Sequence, residues 1–131
     1  MNELRSIFDL AFMSADLYHG GGPHLLIATS VHCPWCRKFS PYWAEIAEQL
    51  GSSYEVSVVT VEETGGEQIF REGMHFFFQH DVGESIGFPS MYVLERSSGV
   101  EEISPDVFWH PGQKQFLKQN LVARLNERIR E

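Results

Sequence analysis

Four apolar residues, Leu25-Leu26-Ile27-Ala28, follow one another without a polar break, shortly before Cys33-Pro34-Trp35-Cys36. A strand with one face in water alternates apolar and polar side chains, so an unbroken run of this length suits a strand covered on both faces. Covering both faces calls for helices on each side of a sheet, and this strand anchors an α/β arrangement.

The other periodicities supply those helices. Leu4, Ile7, Phe8, Ala11 and Ala15 recur at helical spacing and predict an amphipathic helix over 3–17. Gly20-Gly21-Gly22-Pro23 stops it and reads as a linker, since a strand rather than a helix follows. Trp35, Phe39, Tyr42, Trp43, Ile46 and Leu50 mark one side of a helix from about 34 to 50, closed by Gly51. Tyr54, Val56, Val58 and Val61 describe a second strand. Gly65-Gly66 opens a helical segment that buries Ile69, Phe70, Met74 and Phe77, and Asp81 to Gly87 returns as a loop. Met91 to Glu95 makes a third strand, and Ser97-Ser98-Gly99 turns it into a fourth carrying Val100 and Ile103. Leu117, Leu121, Leu125 and Ile129 predict a terminal helix after Pro111-Gly112. The order α-β-α-β-α-β-β-α folds into a mixed four-stranded sheet flanked by helices on both faces, with an N-terminal helix. The 131 residues form one domain, 1–22 being the N-terminal helix and Gly-rich linker and 23–131 the core. His75-Phe76-Phe77-Phe78-Gln79-His80 is too apolar for a fully exposed helix and belongs mainly to the core, a partner groove being the sharper alternative.

Charge narrows the function. Ten basic and 18 acidic residues give a net charge of −8, which repels a phosphate backbone, so no nucleic-acid partner is expected. No apolar run reaches the roughly 18–20 residues that span a bilayer. Residues 1–10 carry Glu3, Arg5 and Asp9 and do not form a basic-then-apolar leader, so a cytoplasmic, non-membrane protein is expected.

The two cysteines stand three positions apart, and a bridge across so small a loop constrains the unfolded chain little; the spacing points to chemistry. Cys33 ends a loop after the buried strand and begins a helix, where unpaired backbone N–H groups and the positive helix end favour a thiolate, the nucleophilic form. Pro34 fits the first helical turn. Cys36 lies nearly one turn on, so Cys33 reads as the exposed nucleophile and Cys36 as the buried resolving thiol. The competing role is half a metal site. Zinc usually wants four ligands, and among His19, His24, His32, His75, His80 and His110 none forms an H-x₃-H pair, so no metal and no cofactor are expected.

From Leu25 onward, over about residues 24–130, the chain resembles the thioredoxin-like superfamily. Three landmarks carry the resemblance: the strand leading into Cys33-Pro34-Trp35-Cys36; Pro41, five residues after the second cysteine; and Ile86-Gly87-Phe88-Pro89-Ser90, which looks like the family's cis-proline loop before the third strand. The resemblance implies a thioredoxin fold, a cis Pro89 facing the cysteines, and substrate contacts from Phe88 and Pro89. Trp35 is a further candidate for substrate contact, and His32 and Pro34 for modulating the thiol. There are departures. Ile27 stands where thioredoxins carry a buried Asp, His32 stands where they carry Trp, and the inner dipeptide is Pro-Trp, closer to glutaredoxins and DsbA-type oxidases.

The function expected is a monomeric thiol-disulfide oxidoreductase acting on disulfide-containing protein substrates, in the reducing direction, and recycled by a reductase or thiol donor. The alternatives are a glutaredoxin-like or DsbA-like oxidant, a non-catalytic interaction module and a metal carrier.

Overall fold

A computed structural model describes residues 1–62, 66–82, 89–96 and 99–130. In chain order the elements are β1 (Asn2–Glu3), α1 (Ile7–Tyr18), β2 (His24–Thr29), α2 (Pro34–Phe39), α3 (Pro41–Leu50), β3 (Glu55–Thr60), α4 (Gly66–Gln68), a π-helical turn (Ile69–Gly73), α5 (Met74–Phe78), β4 (Ser90–Glu95), β5 (Gly99–Glu102), α6 (Pro105–Phe108), β6 (Trp109–His110), β7 (Gln115–Phe116) and α7 (Lys118–Arg130). Among the described residues no helix is long and apolar enough to cross a membrane.

β2 is the centre of a mixed sheet of order β1-β3-β2-β4-β5. It runs parallel to β3 and antiparallel to β4, which pairs antiparallel with β5. Its residues 24–28 are buried, as an unbroken apolar run requires. Leu25 and Ile27 enter the core beneath α3 and α7, with Trp43, Ile46, Leu121 and Leu125. Leu26 and Ala28 enter a second core beneath α1 and the segment 69–78, with Leu10, Phe70 and Met74. The alternation of side chains along a strand thus feeds two cores from one run.

The sheet has five strands rather than four, because Asn2 and Glu3 pair parallel with Ser57 and Val58. A two-residue strand is too short to show a period. Its formation moves the start of the first helix to Ile7, where Ser6 and Asp9 form a capping box. That helix is also turned from the expected stripe. Leu10, Met13 and Leu17 are its buried face, whereas Phe8 is 69% exposed and Ala15 faces solvent. Both stripes have helical spacing, and the packing of Leu10, Met13 and Leu17 in one core with Phe70 and Met74 decides between them.

The expected helix over 34–50 is two helices. Pro41 has no N–H to continue the first, and the break falls at Ser40. Residues 104–117, which carry no regular period, form α6 and the β6–β7 hairpin before α7 begins at Lys118. Ile129, expected on the buried face of the last helix, is 46% exposed, while Leu121 and Leu125 are buried. In the Phe-rich segment Phe77 and Phe78 pack partly against the second core, and Phe76 is exposed. The turn expected at Ser97-Ser98 and most of the 81–87 loop lie outside the described residues.

Candidate functional site

Cys33 is the N-cap of α2, with extended backbone, and Pro34 occupies the first helical turn. The Cys36 N–H donates to Cys33 Sγ at 3.1 Å. The sulfur thereby takes one of the amide hydrogens that a helix start leaves without a backbone acceptor. Cys33 is half-buried, and Cys36 is 1% exposed. Burial pushes the Cys36 thiol up to about 12, reinforced by its hydrogen bond with Cys33, while the Ser30 backbone and the Thr29 hydroxyl pull the other way. The two thiols are free and in hydrogen-bonding contact, one reachable and one enclosed.

A strap of three residues leads from β2 into Cys33, and its hydrogen bonds converge on Glu62, just beyond β3. The Ser30 hydroxyl and the Val31 N–H (2.7 Å) both donate to Glu62 Oε1. His32 N–H donates to Ser30 Oγ at 3.2 Å, and Cys33 N–H to Ser30 O at 3.2 Å. Partial desolvation works to raise the Glu62 carboxyl. The hydrogen bonds from Ser30, Val31 and His32, with the nearby His32 ring, outweigh it and hold the carboxyl below its usual range. His32 itself is exposed. Glu62 was not singled out in the sequence. The available signal was its position, an acid at the carboxyl end of the strand expected beside the cysteine strand.

Beside α2 lies an aromatic wall. Trp35 stacks on Phe39 (centroids 5.9 Å apart) and tilts against Trp109 (4.9 Å) from β6. Lys38 Nζ lies 5.2 Å from the Trp35 ring centroid. Trp35, Pro89, Ile103, Phe108 and Trp109 line a cavity of about 220 Å3, with Glu102 among its polar neighbours. The structure thus brings Pro89 and Trp35 to one cavity. Phe88 lies outside the described residues. Trp109 is the wall residue that periodicity missed, because it belongs to a two-residue strand.

Solved thioredoxins superpose on this chain, whose central strand has one parallel and one antiparallel neighbour and leads to Cys33 and Cys36 at a helix start. The chain has the thioredoxin fold. The J-Trx1 fragment of ERdj5 superposes with a TM-score of 0.64 at 16% identity, over 99% of this chain and 52% of that one. Thioredoxin O1 from Arabidopsis thaliana, in its oxidized state, gives 0.62 at 16% identity, over 94% and 95%. Thioredoxin F from spinach chloroplast gives 0.61 at 14% identity, over 99% and 86%. The chain therefore spans about half of the first of these and most of the other two. No protein-family model and no curated protein matches the sequence.

On a thioredoxin fold the departures noted in the sequence acquire a location. Ile27 is fully buried among apolar residues of the core beneath α3. The Glu62 carboxylate, just beyond β3, holds Ser30 and Val31 in the strap that leads from β2 into Cys33.

Proposed function

We propose that this chain is a thiol-disulfide oxidoreductase that reduces disulfides in protein substrates through Cys33 and Cys36. The observation that carries the proposal is the pairing of a half-exposed Cys33 sulfur, held by the Cys36 N–H, with an enclosed Cys36 thiol in contact with it.

Cys33, as thiolate, attacks one sulfur of a substrate disulfide. A Cys33–substrate disulfide forms, and the other substrate sulfur departs as a thiolate that takes up a proton. Cys36 then loses its proton and attacks Cys33 Sγ. The Cys33–Cys36 disulfide forms, and the second substrate sulfur leaves and is protonated. The substrate gains two electrons and two protons, and the domain is left oxidised. An external dithiol or a reductase returns it to the dithiol state.

The reducing direction is supported by the burial of Cys36. A thiol pushed up to about 12 is a poor leaving group, which disfavours reopening of the domain disulfide by a partner. Such chemistry suits a thiol-reducing compartment, and we assign the protein to the cytoplasm on that ground. Trp35, Phe88 and Pro89 contact the substrate segment beside the sulfurs, and the cavity that Trp35 and Pro89 share with Trp109 accepts an apolar side chain. His32 and Pro34 modulate Cys33 from either side.

Reduction of insulin disulfides by dithiothreitol tests the proposal. The protein accelerates the reaction over buffer. A rate equal to buffer, with both thiols titrating as free, contradicts it and leaves the non-catalytic module.

A further inference from the structure

A cleft of about 790 Å3 opens at the end of β2 remote from the cysteines, and Asn2, Asp9, Asp16, His24 and Glu55 are among its walls. Three side chains that can ligate a metal converge in it. Asp16 comes from the last turn of α1, His24 opens β2, and Glu55 opens β3 directly opposite His24 in the sheet register. His24 Nε2 lies 2.9 Å from Asp16 Oδ2 and 3.7 Å from Glu55 Oε2. One donor atom from each residue lies within 4.8 Å of the other two. The imidazole is 4% exposed, whereas both carboxylates reach solvent.

Hydrogen bonding leaves this cluster incomplete. A hydrogen on Nε2 serves Asp16, and Glu55 Oε2 at 3.7 Å is beyond hydrogen-bond range. Two carboxylates therefore face one nitrogen that satisfies one of them, and they repel each other across it. Neither is placed casually. Asn2 Nδ2 donates to Glu55 Oε1 at 2.9 Å, which leaves Oε2 toward the ring. The Gly21 N–H bonds the Asp16 carbonyl at 2.8 Å, and a Cβ at Gly21 would strike the Asp16 carboxylate, so the glycine at this one linker position leaves room for that group. The carbonyl end of α1, which attracts cations, carries no basic side chain in its last turn. Coordination through Nε2 displaces the hydrogen that serves Asp16 and places it on Nδ1, which is buried without a hydrogen-bond partner among the described residues, a cost that bonds from the metal to both carboxylates offset.

We propose that Asp16, His24 and Glu55 bind one zinc ion, which fastens the end of α1 to the starts of β2 and β3. One imidazole nitrogen and two carboxylate oxygens are a donor set that zinc accepts, and the outward side leaves a fourth position for water. Asn2 holds a ligand in place, as outer-shell partners of metal sites do. No metal was expected from the sequence, because spacing does not reveal ligands dispersed over positions 16, 24 and 55.

The test uses the full chain with Cys33→Ser and Cys36→Ser, which removes the thiol pair as a rival zinc ligand and makes the result independent of the redox proposal. Zinc chloride is titrated by calorimetry, and cobalt(II) replaces zinc as a spectroscopic probe. The expected result is one zinc per chain, a rise in Tm with zinc, and cobalt visible bands. In Asp16→Asn and in Glu55→Gln, affinity falls about tenfold or more and the Tm rise is lost. His24→Ala removes binding; should it fail to fold, the two carboxylate variants, whose side chains reach solvent, still decide. Absence of saturable uptake, or uptake and a Tm rise undiminished in both carboxylate variants, overturns the proposal.

Discussion

The Glu62 carboxylate, just past β3, accepts the Val31 amide hydrogen at 2.7 Å, so the strand beside the cysteine strand holds the loop that delivers Cys33. The same oxygen takes the Ser30 hydroxyl, and the Ser30 backbone faces the Cys36 thiol. One carboxylate thus fixes both the approach to the first cysteine and part of the surroundings of the second. Glu62→Gln keeps the shape and removes the charge. Because the folded carboxyl is held below its ordinary value of 4.5, Glu62 contributes stability that is present above that pH and lost as the pH falls through the folded value. Denaturation followed from pH 7 down to pH 3 is expected to show a shallower acid loss in Glu62→Gln. Glu62→Ala costs about 1 kcal/mol at neutral pH and also alters the rate of exchange at Cys33.

The alkaline side has the opposite sign. Burial raises Cys36 from 9.0 to about 12 and, with a smaller push from Glu102, raises Tyr92 from 10.0 to about 12. For each, stability is fully present below the unfolded value and is lost as the pH rises toward the folded one. Urea unfolding of the reduced protein should show stability falling between about pH 9 and 12, with part of the slope removed by Tyr92→Phe and part by Cys36→Ala.

Trp109 closes the aromatic wall beside Trp35 and Phe39. Trp109→Ala is expected to slow exchange with a protein disulfide about tenfold, equivalent to about 1.4 kcal/mol, with little change toward a small-molecule disulfide that does not reach the cavity. Rates with insulin and with hydroxyethyl disulfide, compared side by side, check the difference.

Gly66 opens α4 where a Cβ would collide with the backbone carbonyl oxygen of Thr60, at the end of β3. Neither atom belongs to a flexible side chain, so the backbone has to move. Gly66→Ala should lower stability by about 1–3 kcal/mol, measured by chemical denaturation.

What was legible in the sequence follows from what each signal encodes. The run Leu25–Ala28 announced a doubly covered strand because burial on both faces leaves no alternation. Cys33 and Cys36 were legible because their spacing sets their separation on a helix. Trp109 and Glu62 were not. A two-residue strand has no period, and Glu62 acts through Ser30 and Val31, some 30 positions away, by contacts that only the pairing of β2 with β3 creates. The first helix was misfaced because Phe8 and Ala15 fit the 3.6-residue repeat as well as Leu10 and Met13 do, and packing against Phe70 and Met74 decides between them.

The division of labour between the two sulfurs is tested most directly by trapping. Cys36→Ser protein is mixed with a disulfide-bonded protein substrate, quenched in acid and analysed by non-reducing electrophoresis and mass spectrometry. The expected product is a one-to-one covalent adduct through Cys33 that dithiothreitol releases and that Cys33→Ser does not form. Turnover by Cys36→Ser at the parent rate without adduct, or an adduct formed by Cys33→Ser at Cys36, contradicts the assignment.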